Sequence, residues 1–241
     1  MIIIGATSGI GASLARQAAE KGYLVGGTGR REERLISLKE ALGDAFFYRV
    51  MDVTQRESAS NTLQQLIDEM GGMDIIVLNS GISNYPSSSV TAMEQEIIDV
   101  NVSGFVNLFG RAFSYFREQG TGHIVGISSI ASLFGTSRAA PYCGSKAFIS
   151  TYMQGYRQRC NASDQFNITI TDVKPGFVKS EMTDGKRGMF WVGETDVAVR
   201  QMLKDIENKK SYSYVTRRWR LVAWLIKLTP NLLLDRLKIG A

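Results

Sequence analysis

Ile2-Ile3-Ile4-Gly5-Ala6-Thr7-Ser8-Gly9-Ile10-Gly11 stands at the start of the chain. The β-branched run Ile2 to Ile4 predicts a strand, the glycines a turn, and the apolar spacing through Leu14, Ala15 and Ala18 to Lys21 a helix. A strand that feeds a helix through glycines is how open parallel sheets hold a phosphate. The backbone can approach the anion closely, and the helix N-terminus offers unpaired N–H groups at the positive end of its dipole. The spacing is G-x-x-x-G-x-G, not the G-x-G-x-x-G dinucleotide fingerprint. On this segment alone, a glycine turn without a ligand stays open.

Outward from that turn the pattern alternates. Tyr23 to Thr28 predicts a second strand, Glu32 to Leu42 a helix, and Phe46 to Val50 a strand ending at Asp52-Val53. Ser58 to Met70 predicts a helix, and Ile75 to Leu78 a strand ending at Asn79-Ser80-Gly81, followed by a polar loop from Ser83 to Ser89. One long helix is expected from about Met93 to Gln119, apolar around most of its circumference. The run Ile124 to Ile127 leads to Ser129, a helix carries Tyr142, and Ile168 to Val173 runs into Pro175-Gly176-Phe177-Val178-Lys179-Ser180. Regular β-α alternation with short connections implies an α/β fold with a parallel sheet, helices on both faces and right-handed crossovers.

Composition narrows the class. With 241 residues, 44% hydrophobic and 21% charged, the chain can bury one sizeable core, and a single domain over 1–241 is expected. The net charge of +5 suits phosphate-bearing ligands or an anionic surface. The longest apolar run near the C-terminus, Leu221 to Ile226, is far below the roughly 20 residues that span a bilayer. Met1 to Ile4 runs straight into glycine without a signal-peptide pattern, so a cytoplasmic location is expected. Cys143 and Cys160 fall on one predicted helix, about 25 Å apart, too far for a disulfide. With one histidine in the chain, no metal site is expected.

The chemistry gathers on Tyr142-Cys143-Gly144-Ser145-Lys146. Residues four apart on a helix share a face, so Tyr142 and Lys146 can converge, and a nearby ammonium favours a phenolate. Tyr142 is then a candidate general acid/base. Ser129 emerges at a strand end, where its hydroxyl can hydrogen-bond a substrate carbonyl oxygen. Asn101 interrupts an apolar helix and reads equally as a polar core residue or a site residue. His123 lies at the opposite end of its strand from Ser129 and reads as structural. At the end of the second strand, where an acid would bind an adenine ribose, Gly29-Arg30-Arg31 stands instead. Arg30 offers a planar fork to a 2′-phosphate and Arg31 a second charge.

Together these residues resemble the short-chain dehydrogenase/reductase family: Gly5, Gly9 and Gly11; Asn79-Ser80-Gly81; Asn101; Ser129; Tyr142-x-x-x-Lys146; and Pro175-Gly176, in family order and near family spacing over residues 1 to 182. The resemblance implies a Rossmann-type doubly wound sheet and a nicotinamide dinucleotide, NADP(H) by the Arg30 position. It implies that Tyr142 exchanges the proton at the substrate oxygen, that Lys146 holds the nicotinamide ribose and lowers the tyrosine pKa, and that Ser129 orients the carbonyl. Asn101 would help hold a water linking the lysine to solvent. Gly5, Thr7, Ser8, Gly9, Ile10, Gly11, Arg30, Arg31, Asp52, Val53, Asn79, Gly81, Pro175, Gly176, Val178 and Ser180 would line the cofactor, with Asp52 and Val53 at the adenine and Val178 and Ser180 at the carboxamide. Ser80 replaces the family's usual alanine, and Gly144 weakens the catalytic helix by roughly 1 kcal/mol of propensity.

The expected function is hydride transfer between NADP(H) and a ketone/alcohol pair. The alternative is a catalytically idle nucleotide-binding protein of the same fold. A small-molecule substrate is expected and no nucleic acid. A lid over 182–191, with Met182, Met189, Phe190 and Trp191 beside Asp184, Lys186 and Arg187, favours a hydrophobic or acyl-chain carbonyl. Apolar surface on the Met93–Gln119 and Tyr142 helices, which the resemblance implies pair across a dimer axis, predicts a homodimer or homotetramer. The arm 217–241 leaves two readings. Arg217, Arg220 and Lys227 share one arc of a helix whose remainder is apolar, with Trp219 and Trp224 flanking and Pro230 before a second cluster at Leu232, Leu233, Leu234 and Leu237. Such a helix either packs near the substrate cleft or makes peripheral membrane contact through 217–238, lying among lipid headgroups.

Overall fold

In a computed structural model, residues 1–83, 90–137, 139–184 and 189–235 are described. Most of the polar loop before the long helix, the lid residues Lys186 and Arg187, and Arg236, Leu237 and Lys238 of the arm lie outside the described residues.

Seven strands form one parallel sheet: β1 (Ile2–Ile4), β2 (Val25–Gly29), β3 (Phe46–Val50), β4 (Ile75–Leu78), β5 (Thr121–Ile127), β6 (Asn167–Pro175) and β7 (Tyr212–Val215), in the order β3-β2-β1-β4-β5-β6-β7. The order reverses between β1 and β4, where Ile2, Ile3 and Ile4 pair with Ile76, Val77 and Leu78. Ligands of open α/β sheets bind beyond the carboxyl ends of the strands at such a switch point. Strand residues alternate between two cores. Ile2, Ile4, Ile76, Leu78, Ile124 and Ile170 face α3 (Arg56–Glu69), α5 (Phe105–Gln119) and α6 (Ala140–Asn161). Ile3, Val25, Val77, Val125 and Val173 face α1 (Gly9–Glu20), α2 (Glu32–Leu42) and α7 (Thr195–Glu207). A sheet covered on both faces needs such continuous apolar strands, which explains their Ile/Val richness.

Three sequence expectations are corrected. The second strand begins at Val25, not Tyr23, because the Tyr23 amide still bonds Ala18 O at the end of α1. The expected helix from Met93 to Gln119 is three pieces: α4 (Val90–Ile98), a widened π-helical segment Asp99–Gly104, and α5. The widening centres on Asn101, whose side chain bonds the backbone of Ile82, while Gly104 is pressed on Val53, 2.9 Å from where a Cβ would sit. Interruptions of this kind are frequent at functional sites. The arm, expected as helix from Arg217, forms α8 (Trp219–Leu228) and a short α9 (Asn231–Leu234) on either side of Pro230. Its packing is local and specific: Trp219 and Ala223 are buried against Ile130, with Leu133, Phe134, Phe177 and Tyr214 around them. The Trp219 indole fills the space beside Gly176, 2.0 Å from where a Cβ would lie, so only glycine fits there. No helix among the described residues is long and apolar enough to cross a membrane.

Both cysteines are free thiols on α6, and no metal-holding cluster occurs among the described residues. His123 is buried, bonded through Nε2 to Thr171 Oγ1 at 2.7 Å, far from catalytic geometry. Burial, and secondarily the charge of Lys209, pushes its pKa down to about 4.

Candidate active site

The glycine turn lies at the carboxyl end of β1. Gly5 adopts φ +92° and Gly9 φ +51°, conformations open to glycine. A Cβ on Gly11 would stand 2.0 Å from Gly5 O, so the first turn of α1 is free to close against the strand only because Gly11 lacks one. Ser8 precedes α1 in extended conformation, its side chain caps no helix N–H, and the first helical turn carries no acid. The positive end of the helix is therefore uncompensated by side-chain charge, which fits a phosphate. Ile10 packs partly into the core below, and Asn79 Nδ2 braces the turn by donating to Gly5 O at 2.7 Å.

The two arginines have different surroundings. Arg30 is exposed, with no ion-pair partner among the described residues. Arg31 turns back onto the glycine turn, donating to Ser8 Oγ at 2.7 Å and Thr7 Oγ1 at 3.0 Å. It also pairs with Glu181 at 2.8 Å, and Arg34, which the sequence reading passed over, takes the other carboxylate oxygen of Glu181. Hydrogen bonds from Arg31 and then Arg34 hold the Glu181 carboxyl below its usual range. These cations gather beside Thr7 and Ser8, an arrangement suited to a phosphate in the same place. Asp52 lies one strand over, its carboxylate held by the backbone N–H and hydroxyl of Thr54, with Val53 buried beside it.

At the ends of β4 and β5 four elements converge. Lys146, 4% exposed, donates from Nζ to Ile127 O at 2.9 Å. Its Nζ lies 5.7 Å from the centroid of the Tyr142 ring. Gly81 passes so close that a Cβ would meet Lys146 Nζ at 3.2 Å and Asn101 Oδ1 at 3.3 Å. Asn101, fully buried, accepts from Ile82 N at 2.8 Å and donates to Ile82 O at 2.9 Å and to Ser145 Oγ at 3.0 Å. Ser145 Oγ in turn donates to Tyr142 O at 2.8 Å. Ser145 thus ties the π segment to the turn of α6 that carries the tyrosine. Sequence reasoning missed it, although its place between Tyr142 and Lys146 was a signal. Burial lowers the Lys146 pKa to about 8, against an opposing influence from Asp172.

Ser129 follows β5 and caps the short turn Ile130–Leu133, accepting from Ala131 N at 3.1 Å and donating to Pro175 O at 3.4 Å. Beyond Pro175 and Gly176, Val178 is buried and bridges Gly193, and Ser180 packs toward Gly9 while its amide donates to Thr183 Oγ1. Under this site lies a second group the sequence did not reveal. Lys174 is buried and pairs with Asp172 at 2.8 Å, and it also donates to Ser132 Oγ at 2.9 Å and Ser150 Oγ at 2.5 Å. Ser128 and Ser150 both donate to the Asp172 carboxylate.

Phe190 and Trp191 lie against Trp219, with ring centroids 5.1 Å and 6.2 Å away, and Phe177 completes the cluster at 5.5 Å from Trp219. Arg218 donates to Trp191 O at 3.0 Å.

A family model described as short chain dehydrogenase matches residues 1–189. An uncharacterized oxidoreductase of Myxococcus xanthus is 33% identical over 97% of this chain and 94% of its own length. A serine 3-dehydrogenase of Agrobacterium fabrum is 32% identical over 76% of this chain and 73% of its own. Among solved structures, the closed form of a serine dehydrogenase complexed with NADP+ is 25% identical, with a TM-score of 0.79 over 89% of this chain and 94% of that one.

Proposed function

Because the chain belongs to the short-chain dehydrogenase family, we propose that it is an NADP(H)-dependent oxidoreductase acting on a carbonyl/alcohol pair in an apolar substrate. The observation that carries the reading is the convergence of Lys146, Asn101 and Gly81 within one small volume beside the Tyr142 ring, at the switch point of the sheet. When bound, the dinucleotide exchanges the hydride with the carbonyl carbon. Gly5, Thr7, Ser8, Gly9, Ile10 and Gly11 hold its pyrophosphate side, Arg30 and Arg31 the 2′-phosphate, and Asp52 and Val53 the adenine. Asn79, Gly81, Pro175, Gly176, Val178 and Ser180 frame the nicotinamide end.

Within that frame the chain's own groups divide the work. Ser129 Oγ donates to the substrate oxygen as negative charge develops on it. Tyr142 gives that oxygen its proton in reduction and takes one in oxidation. Lys146, protonated below about pH 8, keeps a positive charge next to the phenol and holds the nicotinamide ribose. Asn101 fixes the π segment and, through Ser145, the turn bearing Tyr142, so it positions rather than reacts.

NADP(H) over NAD(H) is supported by Arg30-Arg31, in place of an acid, directly after Gly29 and by the cations gathered at Thr7 and Ser8. A serine dehydrogenase similar to this chain at 25% identity is named as complexed with NADP+. The aromatic cluster of Phe177, Phe190, Trp191 and Trp219 supports an apolar or acyl-chain substrate. A relative named 3-oxoacyl-[acyl-carrier-protein] reductase, from Rickettsia prowazekii, is 33% identical over 76% of this chain. Phe148, exposed and stacked on Tyr152 at 5.5 Å, offers a face of α6 for a second copy, in keeping with a homodimer or homotetramer.

The test is a panel of carbonyl compounds of graded chain length, followed by NADPH absorbance. Tyr142→Phe should lower kcat on any active compound by about 100-fold or more and leave NADPH affinity within about twofold. Activity retained within about tenfold refutes the acid/base role. NADPH binding with no turnover of any compound favours the catalytically idle alternative.

A further inference from the structure

Helix α8 has two apolar faces, and only one is used. Trp219 and Ala223 point inward, with Val222 and Ile226 half-buried beside them. Opposite them Leu221, Trp224, Leu225 and Leu228 are 65%, 61%, 57% and 62% exposed, and Leu232 and Leu233 continue the surface past Pro230 at 68% and 51%. At 100° per residue the outer four fall within about 100° of arc. Arg220 and Lys227 share a position along one edge of that arc, and Arg217 and Arg218 lie at its start. From 217 to 228 there is no acidic residue.

Exposed leucines and a tryptophan at this density are unusual for a monomer surface, and mark a contact. The basic edge identifies its chemistry. A protein partner would have to supply a groove with matching acids, whereas an anionic bilayer supplies acyl depth beneath a continuous negative surface. We propose that the outer face of α8, with the start of α9, docks this protein onto anionic lipid. Leu221, Trp224, Leu225 and Leu228 enter the interface, and Arg220 and Lys227 meet the headgroup phosphates. Trp219 anchors the helix from the inside, so the face is presented on a fixed element rather than on a loose tail.

Docking has a consequence for substrate. Trp219, on the inner face of the same helix, is the ring against which Phe190 and Trp191 close, and its neighbour Ile130 immediately follows Ser129. A bilayer against the outer face therefore lies one helix thickness from the cleft. The substrate class is an apolar carbonyl compound that partitions into lipid. This consequence rests on the carbonyl-reducing reading above; lipid docking itself does not.

The experiment is co-sedimentation of the full chain with sucrose-loaded vesicles, at 20 and 500 mM NaCl, using phosphatidylcholine alone or with 30% phosphatidylglycerol. The intact protein should pellet with the anionic vesicles at low salt and lose at least tenfold in partitioning at high salt. Arg220→Glu with Lys227→Glu should reduce it to the level seen on neutral vesicles. Leu221→Ser with Trp224→Ser and Leu225→Ser, which leaves Trp219 and Ala223 in place, should abolish it. Both variants should keep NADPH binding by fluorescence titration, which shows that they fold. Failure of the intact chain to pellet on anionic vesicles at low salt overturns the proposal. So does unaltered pelleting of both variants, or a serine variant whose only change is dissociation of a dimer in sedimentation velocity, since that assigns the face to a second copy. The readout needs no substrate, so its failure leaves the catalytic reading standing, and a dead Tyr142 site leaves docking standing.

Discussion

Replacing Lys174 with methionine should destabilise the fold through charge, not shape. Lys174 and Asp172 are 1% and 0% exposed, and the ammonium reaches Asp172 Oδ2 at 2.8 Å, Ser150 Oγ at 2.5 Å and Ser132 Oγ at 2.9 Å. Burial lowers the Lys174 pKa, and the Asp172 charge opposes that shift. Methionine fills most of the lysine volume but strands a buried carboxylate. Breaking a buried pair from one side costs about 3–5 kcal/mol. Ser128 and Ser150 still donate to Asp172, which places the loss near the lower end, about 3 kcal/mol. For a chain of this size that is a fall in Tm of roughly 6–12 °C. Lys174→Met combined with Asp172→Asn removes the stranded charge and should recover most of the loss, because a neutral amide keeps the serine partners at no ionic cost. Urea midpoints and thermal melts of the three proteins test this. A single variant that loses less than about 1 kcal/mol, or a double variant no better than the single, would refute the reasoning, which attributes the cost to an unpaired buried charge.

Two further outcomes follow from the same kind of accounting. Thr171 spends its one hydroxyl proton on Lys210 O at 2.6 Å, so His123 must be the donor in their bond and is neutral with its proton on Nε2. Its pKa near 4 lies below the ordinary 6.5, so as pH falls below 6.5 the unfolded chain takes up the proton first; stability should fall by up to about 3 kcal/mol between pH 6.5 and 4 and stay level below, and His123→Gln should flatten that slope in pH-dependent urea titrations. At the other end of the sheet, Arg30→Ala should weaken NADPH about tenfold and leave NADH within twofold, whereas Arg31→Ala should weaken both, because Arg31 also braces Thr7 and Ser8; equal losses for both cofactors in Arg30→Ala, read by fluorescence titration, would assign that residue to the fold.

The elements that position the site were legible because their patterns are local. Glu32–Leu42, Phe46–Val50 and Ile75–Leu78 run between the bounds their apolar spacing predicts. What escaped is non-local. The π segment could not be read from an unbroken apolar helix pattern, since it exists to let Asn101 reach Ile82, nineteen residues back, and Ser145, forty-four residues on. Asp172 and Lys174 drew no reading from the sequence; their burial makes sense only when Ser128, Ser132 and Ser150 arrive from the end of β5, its following turn and α6. Arg31 rather than Arg30 faces the glycine turn because the chain is still extended at Arg31, where successive side chains point to opposite sides, and the Thr7 and Ser8 hydroxyls it reaches are brought there only by the fold.

The arm shows the same limit from the other side. Periodicity found the amphipathic helix and left packing and lipid contact as rivals, because a sequence projects onto one circle and cannot say which part of an apolar arc is covered. Gly176 decides it. A glycine after the β6 proline leaves a hole, the Trp219 indole fills that hole, and the filling fixes the rotation of α8 about its axis. With Trp219 inward, Leu221, Trp224, Leu225 and Leu228 have no choice but to face out. The packed side and the exposed apolar side are therefore two faces of one helix. Gly176→Ala should disturb both at once: the added methyl displaces Trp219, loosens the seat of Phe190 and Trp191, and removes the constraint that keeps Leu221, Trp224, Leu225 and Leu228 turned outward.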